Sequence, residues 1–155
     1  MTSKAKSLLL AAGLALTSIV TAQAQDLLTG ANEDEILTAA KTLGAATLSH
    51  CNQGDPVIDG LAGDTRYQIY FRNCTASADC EDLNFYAGFS ARPDLEAINT
   101  WNRDKRFSRA YLDDVGDAAV EMDLDLVKGV TADYLASQIA LWSQVVDEFS
   151  AHIGY

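Results

Sequence analysis

The stretch RYQIYFRNCTASADCEDLNFYAGFS, Arg66 to Ser90, decides the fold class. From Arg66 to Cys74 the chain alternates: Tyr67, Ile69 and Phe71 fall on one side, Arg66, Gln68, Tyr70 and Arg72 on the other. From Glu81 to Ser90 it alternates again, with Leu83, Phe85, Ala87 and Phe89 in step. A period of two is that of a β-strand with one buried face. Two such runs joined by a short polar loop predict an antiparallel hairpin.

Working outward from this hairpin, strand candidates precede it at Ala45–Cys51 and Val57–Leu61, separated by the turn material Asn52-Gln53-Gly54-Asp55-Pro56. Before them, Asn32-Glu33-Asp34-Glu35 reads as a helix start, with Asn32 as cap, an acidic first turn, and Ile36, Ala40 and Leu43 along one face. Gly44 is the expected stop. After the hairpin, Pro93 opens a short helix carrying Leu95, Ile98 and Trp101. Phe107–Leu112 and Val120–Val127 form a second expected hairpin, turning at Asp113–Asp117. Thr131 caps a last helix whose residues Leu135, Ile139, Trp142, Val146, Phe149 and Ile153 make one apolar stripe. Helix, strands, helix, two strands, helix is a segregated order. It predicts an α+β domain, an antiparallel sheet with flanking helices.

The whole chain has 155 residues and a net charge of −11. Its first part has the order of a secretory leader: Lys4 and Lys6, an apolar stretch from Ser7 to Val20, then Ala22-Gln23-Ala24. The apolar stretch falls short of the ~20 residues that a spanning helix needs. Residues 1–24 are therefore expected to be a signal peptide and residues 25–155 a single domain, periplasmic or secreted, with no membrane anchor after cleavage. Without Lys4 and Lys6, the 11 basic residues fall to 9 against 22 acidic ones, a net charge of −13. A surface this acidic repels phosphate, so nucleic acid and anionic lipid are poor partners.

Export permits disulfides, and three cysteines allow three single pairings. Cys74 and Cys80 flank the loop of the deciding hairpin, which favours a bridge between them. Cys51 is left as a thiol. A zinc site of His50, Cys51, Cys74 and Cys80 lacks the paired cysteine spacing of structural zinc, so no metal is assigned.

Motifs that would carry catalysis are missing: there is no glycine-rich phosphate loop, G-x-S-x-G elbow or H-E-x-x-H pair. No catalytic residue and no cofactor is assigned. Glu121, Asp123 and Asp125 share one strand face about 7 Å apart, and they read first as a solvated polar face. The acidic hairpin Asp113–Asp125 is the alternative site, for a cation, a small ligand or hydrolysis. Arg103, Lys105, Arg106 and Arg109 form the one basic cluster and are the candidate surface for an acidic partner.

The run Ile98-Asn99-Thr100-Trp101-Asn102, followed by Arg106-Phe107-Ser108-Arg109-Ala110-Tyr111-Leu112-Asp113, resembles the YbjN family, labelled as bacterial sensory transduction regulators. So do Gly129-Val130-Thr131 before the final helix and Trp142 and Phe149 on it. The resemblance implies a domain like the type III secretion chaperones, α-β-β-β-α-β-β-α. Asn99, Trp101, Asn102 and Phe107 match the family pattern. They read as structural: Trp101 and Phe107 in the core, the asparagines tying a helix end to the next strand. The reading that results is an exported, non-enzymatic module that binds a protein or peptide, with a homodimer as one assembly open to it. The mature protein is expected to begin at Gln25; N-terminal sequencing from an envelope or medium fraction checks this, and a chain still starting at Met1 contradicts it.

Overall fold

The alternation from Arg66 to Ser90 does make two adjacent strands, at the centre of a larger sheet. The computed structural model describes residues 26–155, so the leader expected over residues 1–24, with its cleavage site, lies outside the described residues. The elements are α1 (Glu33–Ala40), β1 (Ala46–His50), β2 (Pro56–Ala62), β3 (Thr65–Arg72), β4 (Asp82–Phe89), α2 (Leu95–Asp104), β5 (Arg109–Leu112), β6 (Ala118–Asp125) and α3 (Ala132–Ile153). Six antiparallel strands form one sheet in the order β1-β2-β3-β4-β6-β5. The class is α+β. Four strands precede α2, as the periodicity of the sequence indicates, one more than the scheme implied by the family resemblance.

Register puts the apolar residues of neighbouring strands opposite one another. Ile69 faces Ile58 on one side and Phe85 on the other, and Phe85 faces Met122. All of these are buried. The helices lie over this apolar face. α3 crosses it with Leu135, Ile139, Trp142, Val146 and Phe149 buried, as the stripe predicts, and Val145 joins them. Ile153, in the last turn, is half-buried. The Trp142 ring packs on Phe85 at 5.7 Å and edge-on to Tyr67 at 6.4 Å. Phe149 meets Phe89 at 5.3 Å and Trp101 of α2 at 4.9 Å, both edge-to-face, a geometry that adds to the gain from burial.

The helix ends show which capping signals the chain uses. Thr131 accepts the Tyr134 N–H at 3.1 Å, and Gly154 closes α3 in the left-handed region at φ 72°. Asp94, one residue after Pro93, caps α2 by accepting from Ala97 N–H at 2.8 Å. Asn32 does not cap α1. Its Oδ1 accepts instead from the Thr29 N–H at 2.8 Å and the Thr29 hydroxyl at 3.3 Å, so the cap is diverted into the preceding turn. Leu95 is likewise exposed, at 65%. At 3.6 residues per turn each step of three drifts about 60°, so Leu95, the first residue of α2, stands about 120° around the helix from Trp101.

Cys74 and Cys80 are bonded across the end of the β3–β4 hairpin, and Cys51 is a half-buried thiol. α1 is fastened to the sheet by Tyr67, whose hydroxyl donates to the Ala40 carbonyl at 3.2 Å. Burial pushes that hydroxyl's pKa up to about 12. The fold therefore holds the proton more tightly than the unfolded chain does. Its contribution is complete below pH 10 and is lost as pH rises from about 10 to about 12, at up to ~1.4 kcal/mol per unit. Urea unfolding between about pH 9 and about pH 11 is expected to fall more steeply for the wild type than for Tyr67→Phe; equal slopes would contradict this.

Candidate functional site

With all three helices on one face, the opposite face of the sheet carries no covering element among the described residues. Register arranges its side chains in rows that run across the strands. One row is Thr47, Asp59, Gln68, Tyr86, Glu121 and Arg109. A second contains Leu61, Arg66, Gly88, Ala119 and Tyr111, and a third contains Ser49, Val57, Tyr70, Asn84 and Asp123.

Hydrogen bonds bind these rows together. Gln68 Nε2 donates to Asp59 Oδ1 at 2.8 Å, and the Ser49 hydroxyl donates to Asp59 Oδ2 at 3.1 Å. The Tyr70 hydroxyl donates in turn to Gln68 Oε1. Arg72 stands over the Tyr70 ring at 4.6 Å, and Tyr70 meets Tyr86 edge-on at 6.3 Å.

Glu121 departs from the sequence expectation of a solvated carboxylate. It is only 8% exposed, accepts from the Tyr111 hydroxyl at 2.7 Å and pairs with Arg109. Long aromatic and guanidinium side chains from β5 fold over it, which a pattern read along β6 alone does not contain. Burial, and then this bond to Glu121, hold the Tyr111 hydroxyl above the usual tyrosine range. Asp123 accepts from Asn84 Nδ2 at 2.8 Å, while Asp125 accepts the Val127 N–H at 2.7 Å.

The acidic turn is equally occupied. Asp113 Oδ1 accepts from the N–H groups of Val115 and Asp117, and Asp117 pairs with Arg92 at 2.8 Å. Among the described residues no three His, Cys, Asp or Glu side chains converge to hold a metal ion. Within Asp113–Asp125, Asp113, Asp117, Glu121, Asp123 and Asp125 are thus held in separate bonds, while Asp114 is exposed and makes no side-chain bond among the described residues.

Two hollows remain. The larger, about 450 Å³, lies over Leu61 and Gly88, walled by Thr47, Asp59, Arg66 and Tyr86. Gly88 has no side chain, and a Cβ there would lie 2.7 Å from the Tyr86 hydroxyl, which leans across the gap. The smaller, about 210 Å³, lies on the helical side between the end of α2 and α3, with Trp101, Arg106, Phe107, Leu141 and Val145 around it.

Arg103, Lys105 and Arg106 of the basic cluster stand together at the end of α2. Arg109 belongs to the open sheet face. Arg103 pairs with Asp104 at 2.9 Å, and Lys105 with Glu148 at 2.7 Å. Arg106 has no carboxylate partner among the described residues and stands over the Phe107 ring at 5.3 Å.

The residues matching the family pattern divide in the same way. Trp101 is buried and donates from Nε1 to Ser108 Oγ at 3.2 Å. Asn102 clamps Ala110 twice, accepting its N–H at 2.8 Å and donating to its carbonyl at 2.9 Å, which fixes the end of α2 to β5. Asn99 is exposed and makes no side-chain hydrogen bond among the described residues. Phe107 is not in the core. It is 65% exposed at φ 66°, because the reversal from α2 into β5 takes a left-handed residue there and turns the ring outward.

Residues 32–154 match the family described as "YbjN: Putative bacterial sensory transduction regulator". The chain belongs to the YbjN family. Among solved structures, it is similar to YbjN of E. coli, titled "a putative transcription regulator", at 20% identity and a TM-score of 0.52, over 82% of this chain and 96% of that one. It is also similar to the Yersinia pestis type III secretion chaperone SycH, solved with a stable fragment of YscM2, at 14% identity and a TM-score of 0.48, over 76% and 96%. For ExsC, solved in the ExsC–ExsE complex, the values are 15%, 0.47, 77% and 96%. These likenesses concern the fold. No curated protein matches the sequence.

In this YbjN-family chain the open-face row was the part that sequence reasoning missed. Its signal was present in the alternate positions of the deciding hairpin, where Gln68, Tyr70, Asn84 and Tyr86 are neither charged nor plainly apolar. Truncating Glu121→Ala leaves the Tyr111 hydroxyl and Arg109 without their acceptor and is expected to cost about 2 kcal/mol. Asp114→Ala, at an exposed carboxylate with no side-chain hydrogen bond among the described residues, is expected to cost less than about 0.5 kcal/mol. Urea denaturation of both checks the contrast, and equal losses would contradict it.

Proposed function

We propose that this YbjN-family domain is a non-enzymatic, regulatory binding module that docks an acidic segment of a protein partner at the corner between α2 and β5. The observation that carries this reading is Phe107. A large aromatic ring is held outward by a left-handed backbone, under the guanidinium of Arg106 and beside a hollow lined by Leu141 and Val145 as well as by Lys105, Gln144 and Glu148. Phenylalanine and arginine are both enriched at protein interfaces. A chain this acidic otherwise repels acidic partners, so the cationic Arg106 beside the ring sets where such a partner is accepted. The regulatory description of the family supports the same reading.

In this proposal the leader is removed after Ala24 and the domain acts in the periplasm or the medium, where a Cys74–Cys80 bridge persists. The basic residues divide their labour. Arg106 faces the partner, Arg103 and Lys105 hold the end of α2 through their carboxylates, and Arg109 serves the sheet.

A photoreactive phenylalanine analogue at position 107, irradiated in cells, is expected to yield one heterologous adduct that disappears with Arg106→Glu. The same analogue at the exposed Lys128 is expected to yield none. No adduct at 107, or an adduct with a second copy of this chain alone, would overturn the reading; the latter would make the corner a homodimer contact.

A further inference from the structure

The hollow on the open sheet face has a charge arrangement of its own. Arg66 and Asp59 stand at diagonal positions of neighbouring strands, since Leu61 faces Arg66 and Asp59 faces Gln68. Diagonal pairs on one face lie about 7 Å apart and are within reach of long side chains. Yet the two do not pair, and Arg66 has no carboxylate partner among the described residues.

Asp59 already accepts from Gln68 and Ser49, one bond on each oxygen. A carboxylate offers about four acceptor positions, so both oxygens keep one. Gln68 is itself held by Tyr70, so Asp59 is fixed in orientation before any ligand arrives. Tyr86 and Thr47 add hydroxyl groups to the wall. Neither makes a side-chain hydrogen bond among the described residues. Between the charges the floor is formed by Leu61 and by Gly88, over which the Tyr86 hydroxyl lies. The volume, about 450 Å³, lies within the usual range for small-molecule sites.

We infer that this hollow binds a small zwitterion with an apolar side group, the chemistry of a free α-amino acid. Arg66 takes the carboxylate in a two-pronged contact, and Asp59 takes the ammonium. The side group lies over Leu61, against the Tyr86 ring that covers Gly88. The site is separate from the Phe107 corner, and neither proposal depends on the other.

The test is titration calorimetry on the purified protein with L-leucine and L-phenylalanine. Two single-charge probes accompany them: N-acetyl-L-leucine, which keeps only the carboxylate, and L-leucinamide, which keeps only the ammonium. These also stand for the two ends of a peptide. At least one amino acid is expected to bind saturably, with both single-charge probes weaker by about tenfold or more. Arg66→Gln is expected to erase the preference for leucine over leucinamide, and Asp59→Asn the preference over N-acetylleucine. Both substitutions are at exposed positions, and unchanged thermal melting confirms that the variants fold. Failure of both amino acids to bind at about 10 mM would overturn the inference. So would equal binding of all probes, or variants that bind leucine as well as the wild type.

Discussion

The contact on which the rest of the structure depends is the aromatic cluster around Phe149. One ring joins Phe89 of the central strand β4 to Trp101 of α2, so α3, α2 and the sheet share a single junction. Tyr155 and His152 add further rings to the same cluster, against Phe89 and Trp101. Because Phe149 of α3 meets both Phe89 of β4 and Trp101 of α2, the two helices are confined to the same side of the sheet. α1 is drawn to that side as well, by the bond from Tyr67 to Ala40. The uncovered face is thus a consequence of where the aromatics lie. No covering element is available to it among the described residues.

That asymmetry gives the two faces different kinds of order. On the helical side, position is set by apolar packing, which is non-directional and tolerant of exchange between residues of similar volume. On the open side it is set by directional bonds between side chains, as in Tyr70 to Gln68 to Asp59 and in Tyr111 to Glu121. A network of this kind holds polar groups in one geometry, Asp59 in contact with solvent and Glu121 buried. The α2–β5 corner combines the two. Asn102 and Trp101 fix the backbone from inside, and Phe107 is turned out by the same reversal.

Much of the fold was legible because its strands have one buried face. The alternation at Tyr67, Ile69, Phe71 and at Leu83, Phe85, Phe89 is the register of the sheet written in sequence, and the stripe on α3 is its partner. Caps were less legible. Thr131 behaves as its residue type predicts, but Asn32 has a nearer donor in Thr29, a competition that propensity does not resolve. The site was least legible. Glu121 is buried by residues of a different strand, and its fate depends on the pairing of β5 with β6. Phe107 looks like a core residue by type, yet a backbone angle at a chain reversal decides its direction. The basic cluster is contiguous in sequence but is divided by the end of a helix and the start of a strand.

The placement of the two tryptophans has an optical consequence. Trp101 rides on α2 and Trp142 on α3, and both are buried among aromatic rings. An indole in a dry apolar setting emits at shorter wavelength than one in water. Each helix therefore carries its own fluorophore, and each fluorophore reports whether that helix is seated on the sheet. Replacing one indole at a time by phenylalanine would resolve the emission of the two helices, so that loosening of either during unfolding could be followed separately without an added label.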